Sequence, residues 1–208
     1  MKKFLLVLVL VFALSAAAFA APSQKGLDRM GIFISNFTEV GMFEFDLDEY
    51  GDDTAIHLGD PNNFGEFLYF GIMHAYINAP KSIKKCRDNT CEYGDLTVDS
   101  KTVINAVKKY FDVEIKPQSD LNRTPAIYYN KSDKLYHFEK PELPEPTYYA
   151  QVKNVKTSAN GKIITMTGDI YNFNKKSERP ATFTATAKPH KWQGKNTWAI
   201  LSLTTEWR

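Results

Sequence analysis

The stretch Ala181-Thr-Phe-Thr-Ala-Thr-Ala-Lys188 decides the fold class. Phe183, Ala185 and Ala187 fall on one side of an extended chain, and Thr182, Thr184 and Thr186 on the other. Side chains alternate across a strand, so this spacing buries one face and wets the other; a helix would scatter both sets around its axis. Gln193-Gly194-Lys195 then reads as a turn, with residues 196–207 returning as a second long strand. In 198–203 apolar residues occupy both sides, which predicts a central strand covered on both faces. Two further long strands precede these, at 147–157 and 162–173, joined through Asn160-Gly161. A shorter pair, 126–130 and 134–139, flanks Lys131-Ser132-Asp133 in the manner of a hairpin. Lys140-Pro-Glu-Leu-Pro-Glu-Pro146 fits neither a helix nor a central strand and predicts a stiff extended linker.

Upstream the period changes from two to that of a helix. Leu27, Met30, Ile34 and Phe37 predict an amphipathic helix over Gln24–Thr38, stopped by Gly41. Residues 42–47 alternate as a short strand, with 54–58 as its expected partner. Asp60-Pro61 has the chemistry of a helix start, and Asn78 and Pro80 of its end. Between them Phe64, Phe67, Leu68, Gly71, Ile72 and Ala75 line one side, while Tyr69, Phe70, Met73 and Ile77 cover much of the other. A helix apolar nearly all round is a buried one. A third helix is expected after Asp99 as N-cap, with Val98 and Val103 at staple spacing and Val103, Ile104, Val107 and Phe111 as its buried stripe. Lys101, Lys108 and Lys109 are expected to face water. Helices first and an antiparallel meander after them define an α+β fold, with a helical lobe over 22–116 and a sheet lobe over 124–208 of one domain spanning 21–208.

The N-terminus predicts export. Met1-Lys2-Lys3 precedes an apolar run from Phe4 to Leu14, and Ala18-Phe19-Ala20 supplies small residues for signal peptidase, so residues 1–20 read as a cleavable signal peptide. The rival reading, an uncleaved anchor, is opposed by the Ala-rich end and by Pro22. The destination expected is the bacterial periplasm or the exterior, with no transmembrane span after cleavage. Removal of Lys2 and Lys3 leaves 24 basic and 24 acidic residues, a net charge of zero. The distribution is uneven: residues 21–66 carry −8 and the remainder +8. Export and the lack of a dense basic run argue against nucleic acid and for a protein or glycan partner in the cell envelope.

Cys86 and Cys91 are the two cysteines. An oxidising compartment and Asp88-Asn89 between them favour a disulfide closing a tight turn, worth about 2 kcal/mol. The alternative is a metal held by two thiolates, for which the sequence shows no nearby histidine pair. In Asp46-Leu-Asp-Glu-Tyr-Gly-Asp-Asp53, Asp46, Asp48, Gly51 and Asp52 match positions one, three, six and seven of a calcium loop. Tyr50 and His57 stand where further oxygen ligands belong, so a solvated acidic tip is the competing reading. His74 and Asn78 lie one turn apart on the apolar second helix, with Glu66 two turns before His74. Buried polar groups need partners, so these three form either a core network or the floor of a pocket. Tyr128, Tyr129, Tyr136, Tyr148, Tyr149, Trp192, Trp198 and Trp207 belong to the sheet, as core or as stacking surface for sugars or peptides. No nucleophile elbow, phosphate loop, zinc-protease motif or dinucleotide fingerprint is present, and no cofactor is called for.

Two segments, Phe33-Ile-Ser-Asn-Phe-Thr-Glu39 and Phe70-Gly-Ile-Met-His-Ala-Tyr-Ile-Asn78, resemble exported bacterial proteins of uncharacterised function. The resemblance implies a family without implying an activity. The order of helices followed by a meander is also similar to that of secreted inhibitors of cell-wall endopeptidases, though no inhibitory residue carries over; as an inhibitor, this chain is expected to dock through its own acidic loop 46–53. Three function classes follow. The first is a non-enzymatic binding or interaction module of the envelope. The second is an inhibitor of a cell-wall hydrolase, and the third an enzyme built around His74.

Overall fold

A computed structural model describes residues 22–47, 64–86, 91 and 93–208. Helix α1 (Gln24–Thr38) starts at Ser23, whose hydroxyl accepts from the Gly26 N–H. Strand β1 (Phe45–Asp46) is followed by α2 (Phe64–Asn78), a single 3-10 turn (Pro80–Ser82) and β2 (Lys84–Lys85). Then come β3 (Leu96–Asp99), α3 (Ser100–Phe111) and the hairpin β4 (Ile127–Asn130) and β5 (Leu135–Phe138). The chain ends in β6 (Tyr148–Thr157), β7 (Ile164–Asn172), β8 (Ala181–Trp192) and β9 (Lys195–Trp207). The class is α+β, as the change of period requires.

The strands divide into two antiparallel sheets rather than one lobe. One sheet runs β1-β9-β8-β7-β6, the other β2-β3-β5-β4. The predicted hairpin therefore leaves the meander and pairs with β3, a strand hidden in sequence because its four residues run straight into the α3 cap. Asp99 closes that junction, its carboxylate accepting from the Lys101 N–H at 2.7 Å.

Two sheets explain the apolar girth of α2. Phe67, Phe70 and Met73 pack into a core shared with α1, α3 and the five-stranded sheet, where Phe37 meets Phe33, Phe45, Phe70, Tyr110 and Phe111 at ring separations of 5.1 to 5.9 Å. Leu68, Ile72 and Ala75, on the opposite side, join Val98, Val103, Ile127, Tyr136 and Phe138 in a second core against the smaller sheet. Each buried Phe, Leu, Ile or Met among them contributes about 1.5–3 kcal/mol, so a helix shared by two cores is apolar on both sides. Gly71 permits a close crossing of α2 and α3: a Cβ there would sit 2.6 Å from Val103 Cγ1.

The structure seats 198–203 between β8 and β1, and both Ile200 and Ala199, on opposite faces, are fully buried. β9 pairs with β8 along one edge and, among the described residues, with Phe45, Asp46 and the Leu47 amide along the other. Its register with β8 slips between Thr186 and Ala187, so that Leu203 opposes Ala185 while Ile200 opposes Ala187. One extra residue flips the alternation, which puts Ile200 and Leu203 into the same core although they are three apart.

Helix α1 lies along β6, the outer strand of its sheet, and its small and polar residues make that possible. A Cβ on Gly31 would stand 2.9 Å from the Ala150 carbonyl. Ser35 Oγ accepts from the Ala150 N–H at 3.0 Å, and Thr38 Oγ1 donates to the Tyr148 carbonyl at 2.7 Å. Backbone groups that a neighbouring strand would have paired are thus satisfied by helix side chains.

Candidate functional site

The back half of α1 is buried apart from Ile32, and it includes polar residues that must be paired there, Ser35, Asn36 and Thr38, followed by the buried Glu39 at its C-cap. Asn36 and Glu39 reach toward α2. The Asn36 amide donates to the Ile32 carbonyl at 2.6 Å, leaving its Oδ1 to accept from the Tyr110 hydroxyl at 2.9 Å and to meet His74 Nε2 at 3.1 Å. Lys109 Nζ donates to the Tyr110 hydroxyl at 2.9 Å and lies 4.4 Å from its ring centroid. The side chain expected to face water instead folds back over its neighbour. A proton on His74 Nε2 satisfies this set, and desolvation by burial, reinforced by the Lys109 charge, pushes the imidazole down to about 4. His74 is therefore neutral at physiological pH.

One turn on, Asn78 Nδ2 donates to the Glu39 carboxylate, which also accepts from the Tyr149 hydroxyl. Burial pulls the Glu39 carboxyl above its ordinary value despite those two hydrogen bonds. The two quoted segments thus converge in space: Asn36 with His74, and Glu39 with Asn78. Glu66 lies apart, at the other end of α2, where it pairs with Arg123. That guanidinium sits 4.9 Å from the Tyr69 ring centroid and 3.6 Å from the Asp120 carboxylate. Of the three predicted site residues, His74 and Asn78 meet the same α1 surface and Glu66 does not.

Asn78 and Glu39 open onto a cleft of about 440 Å3 between α1, the start of β6, Tyr171 on β7 and the 176–179 segment. Leu27, Gly31 and Ile32 supply its apolar side, and Ile32 is 67% exposed there. Tyr149 and Tyr171 face one another at 6.3 Å, edge to face. Lys176 and Arg179 stand at the rim. Arg179 is held by the buried Asp169 at 3.1 Å, and Lys153 meets the same carboxylate at 2.6 Å. Burial alone would raise Asp169, but the Lys153 hydrogen bond and the Lys153, Arg179 and Arg208 charges outweigh it and hold the carboxyl low. One buried anion thereby positions Arg179 of the rim. His74 is not on the cleft wall; it braces Asn36, which is.

The remaining sequence candidates fall elsewhere. Asp46 lies on β1 opposite Ser202, while Asp48 and Asp52, like the strand expected at 54–58 and the start of the second helix at Asp60, lie outside the described residues. Cys86 and Cys91 stand at bonding distance with their Cα atoms 6.4 Å apart, as the disulfide reading requires. No helix among the described residues is long and apolar enough to cross a membrane. Tyr171, Lys176 and Arg179 escaped the sequence reading because nothing local marks them: they meet α1 only through the strand order. Asn36 and Glu39 had a readable signal, polar residues inside the most apolar part of a helix. No protein-family model, curated protein or solved structure matches this chain.

Proposed function

We propose that the chain is an exported, non-enzymatic binding module of the bacterial cell envelope, with the α1–β6 cleft as the seat for an acidic, N-acylated sugar of an envelope glycan. The observation that carries this reading is the pairing of two unlike walls across about 440 Å3. Pockets of this size suit small ligands, with a few fixed polar groups setting orientation. Asn78, Glu39 and Gln151 offer amide and carboxylate partners for hydroxyl and acetamido groups, and Leu27 and Ile32 an apolar bed for a methyl. Tyr149 and Tyr171 present ring surface, and Lys176 and Arg179 a partner for a carboxylate. Binding rather than catalysis is favoured because His74, the imidazole nearest the cleft among the described residues, is tied to Asn36 and Tyr110 and takes a proton only near pH 4.

Titration calorimetry with a disaccharide containing N-acetylmuramic acid tests the seat. Heat of binding is expected for the wild type, with at least a tenfold weaker Kd for Tyr171→Ala and for Lys176→Glu, on the scale of about 1.4 kcal/mol per contact. A neutral N-acetylglucosamine oligomer is expected to bind less well and to ignore Lys176→Glu. Absence of heat with both sugars, or equal affinity in both variants, would remove the proposal. Export is tested separately by intact mass of the protein recovered from envelope fractions, which should begin at Ala21; a mass retaining Met1 would contradict it.

A further inference from the structure

The smaller sheet assembles a second site that the sequence could not display. Cys86 Nα donates to the Asp95 carbonyl at 2.7 Å, extending the β2–β3 pairing by one residue, and β3 pairs with β5 so that His137 lies opposite Thr97. The result sets His137 Nδ1 3.6 Å from Cys86 Sγ, and the donor atoms of Cys86, Cys91 and His137 lie within 4.8 Å of one another. His137 is 8% exposed and its ring is fixed from behind. Its Nε2 meets Asp133 Oδ2 at 3.1 Å, and Asp133 is held in turn by the Leu135 N–H at 2.8 Å and the Asn130 amide at 3.2 Å. That arrangement places the proton on Nε2 and turns the Nδ1 lone pair toward sulfur. A carboxylate behind a histidine whose other nitrogen faces cysteine sulfur is the usual support of a zinc-binding imidazole.

We propose that Cys86, Cys91 and His137 form a redox-gated site for a thiophilic divalent cation, with zinc as its occupant once the disulfide is reduced. Tetrahedral zinc with bonds of about 2.3 Å to sulfur and 2.05 Å to nitrogen needs a sulfur–nitrogen edge of about 3.6 Å. The Cys86–His137 separation already has that value. A dithiol reductant gives two electrons and two protons to the Cys86–Cys91 bond; that bond breaks, and the reductant closes its own disulfide. Zinc then displaces the two thiol protons to solvent and forms two zinc–sulfur bonds, while the His137 Nδ1 lone pair makes the third. A solvent molecule completes the set, since Asp133 is engaged on the far side of the ring. Oxidation by a disulfide reverses the sequence and releases the metal.

The experiment uses the full chain, oxidised and after reduction by a phosphine, titrated with cobalt and then with zinc. The reduced chain should take one equivalent of cobalt, with the near-ultraviolet thiolate charge-transfer band and tetrahedral visible bands, and zinc should bleach both. The oxidised chain should show neither. Asp133→Asn, on an exposed turn, should weaken metal binding about 10–100-fold, and His137→Ala should abolish the tetrahedral spectrum. Melting curves of the reduced, metal-free variants separate loss of the ligand from loss of the fold, and if His137→Ala fails to fold, Asp133→Asn decides. No cobalt uptake by the reduced chain, equal uptake by the oxidised chain, or affinity unchanged in Asp133→Asn would overturn the assignment.

Discussion

Gly168→Ala is expected to destabilise the protein by about 3 kcal/mol or more, read as a lower urea midpoint with an unchanged slope. Gly168 sits in β7 between Val152 of β6 and Phe183 of β8. A Cβ there would lie 1.9 Å from the Gln151 carbonyl oxygen and 2.9 Å from a Phe183 ring carbon. The first of these is backbone, in a strand that bulges between Val152 and Asn154 and is pressed from outside by α1. Relief would require the strand to move, and with it the Ser35 and Thr38 hydrogen bonds. Gly161 supplies the contrast. Its φ of +71° favours glycine, yet a Cβ would meet nothing within 4 Å. Gly161→Ala should therefore cost only about 1–2 kcal/mol, the strain of a left-handed alanine. Equal costs at the two positions would mean that β6 yields and the close approach is not structural.

The second large effect is acid sensitivity through His74. Its folded value of about 4 lies below the 6.5 of the unfolded chain, so between those values the unfolded state binds more protons. Stability from this group is complete above pH 6.5 and is lost progressively as pH falls toward 4. The difference corresponds to about 3 kcal/mol. Glu39 acts in the opposite direction: its raised carboxyl takes up a proton earlier in the folded state, which adds stability as pH falls. Asp169, held low, contributes stability that is lost only at still lower pH, below its ordinary 3.8. His74→Gln keeps an N–H for Asn36 without a proton to gain. The difference in unfolding free energy between wild type and this variant should therefore rise from pH 4 to pH 6.5 and be flat above it. A difference independent of pH would show that the imidazole is not held neutral by its surroundings.

Much of the architecture was legible because it depends on local periodicity. The α1 boundaries, the Asp99 cap and the long strands follow from which residues recur at 3.6 or at 2. The failures have one physical origin. β3 was missed and the hairpin assigned to the wrong sheet because pairing partners are chosen across the chain, and a four-residue strand leaves too short a pattern to read. That Ile200 and Leu203, three apart, share one core could not be read because a bulge is invisible in composition: it reverses alternation without altering any residue. The site divides along the same line. His74 and Asn78 announced themselves as polar residues on an apolar helix, and the structure gives them Asn36 and Glu39 as partners. Tyr171, Lys176 and Arg179 reach the cleft through the β6–β7 pairing, and His137 reaches Cys86 through β3.

The seating of α1 against β6 has a consequence for assembly of the molecule. Two groups of the strand's outer ladder, the Tyr148 carbonyl and the Ala150 amide, are capped by a segment more than a hundred residues earlier in the chain. Until that segment docks, β6 presents open amides and carbonyls to any extended chain, a second copy included. Docking of the first helix therefore removes part of an edge on which another extended chain could build, and so ties the exposure of that edge to the seating of a distant segment.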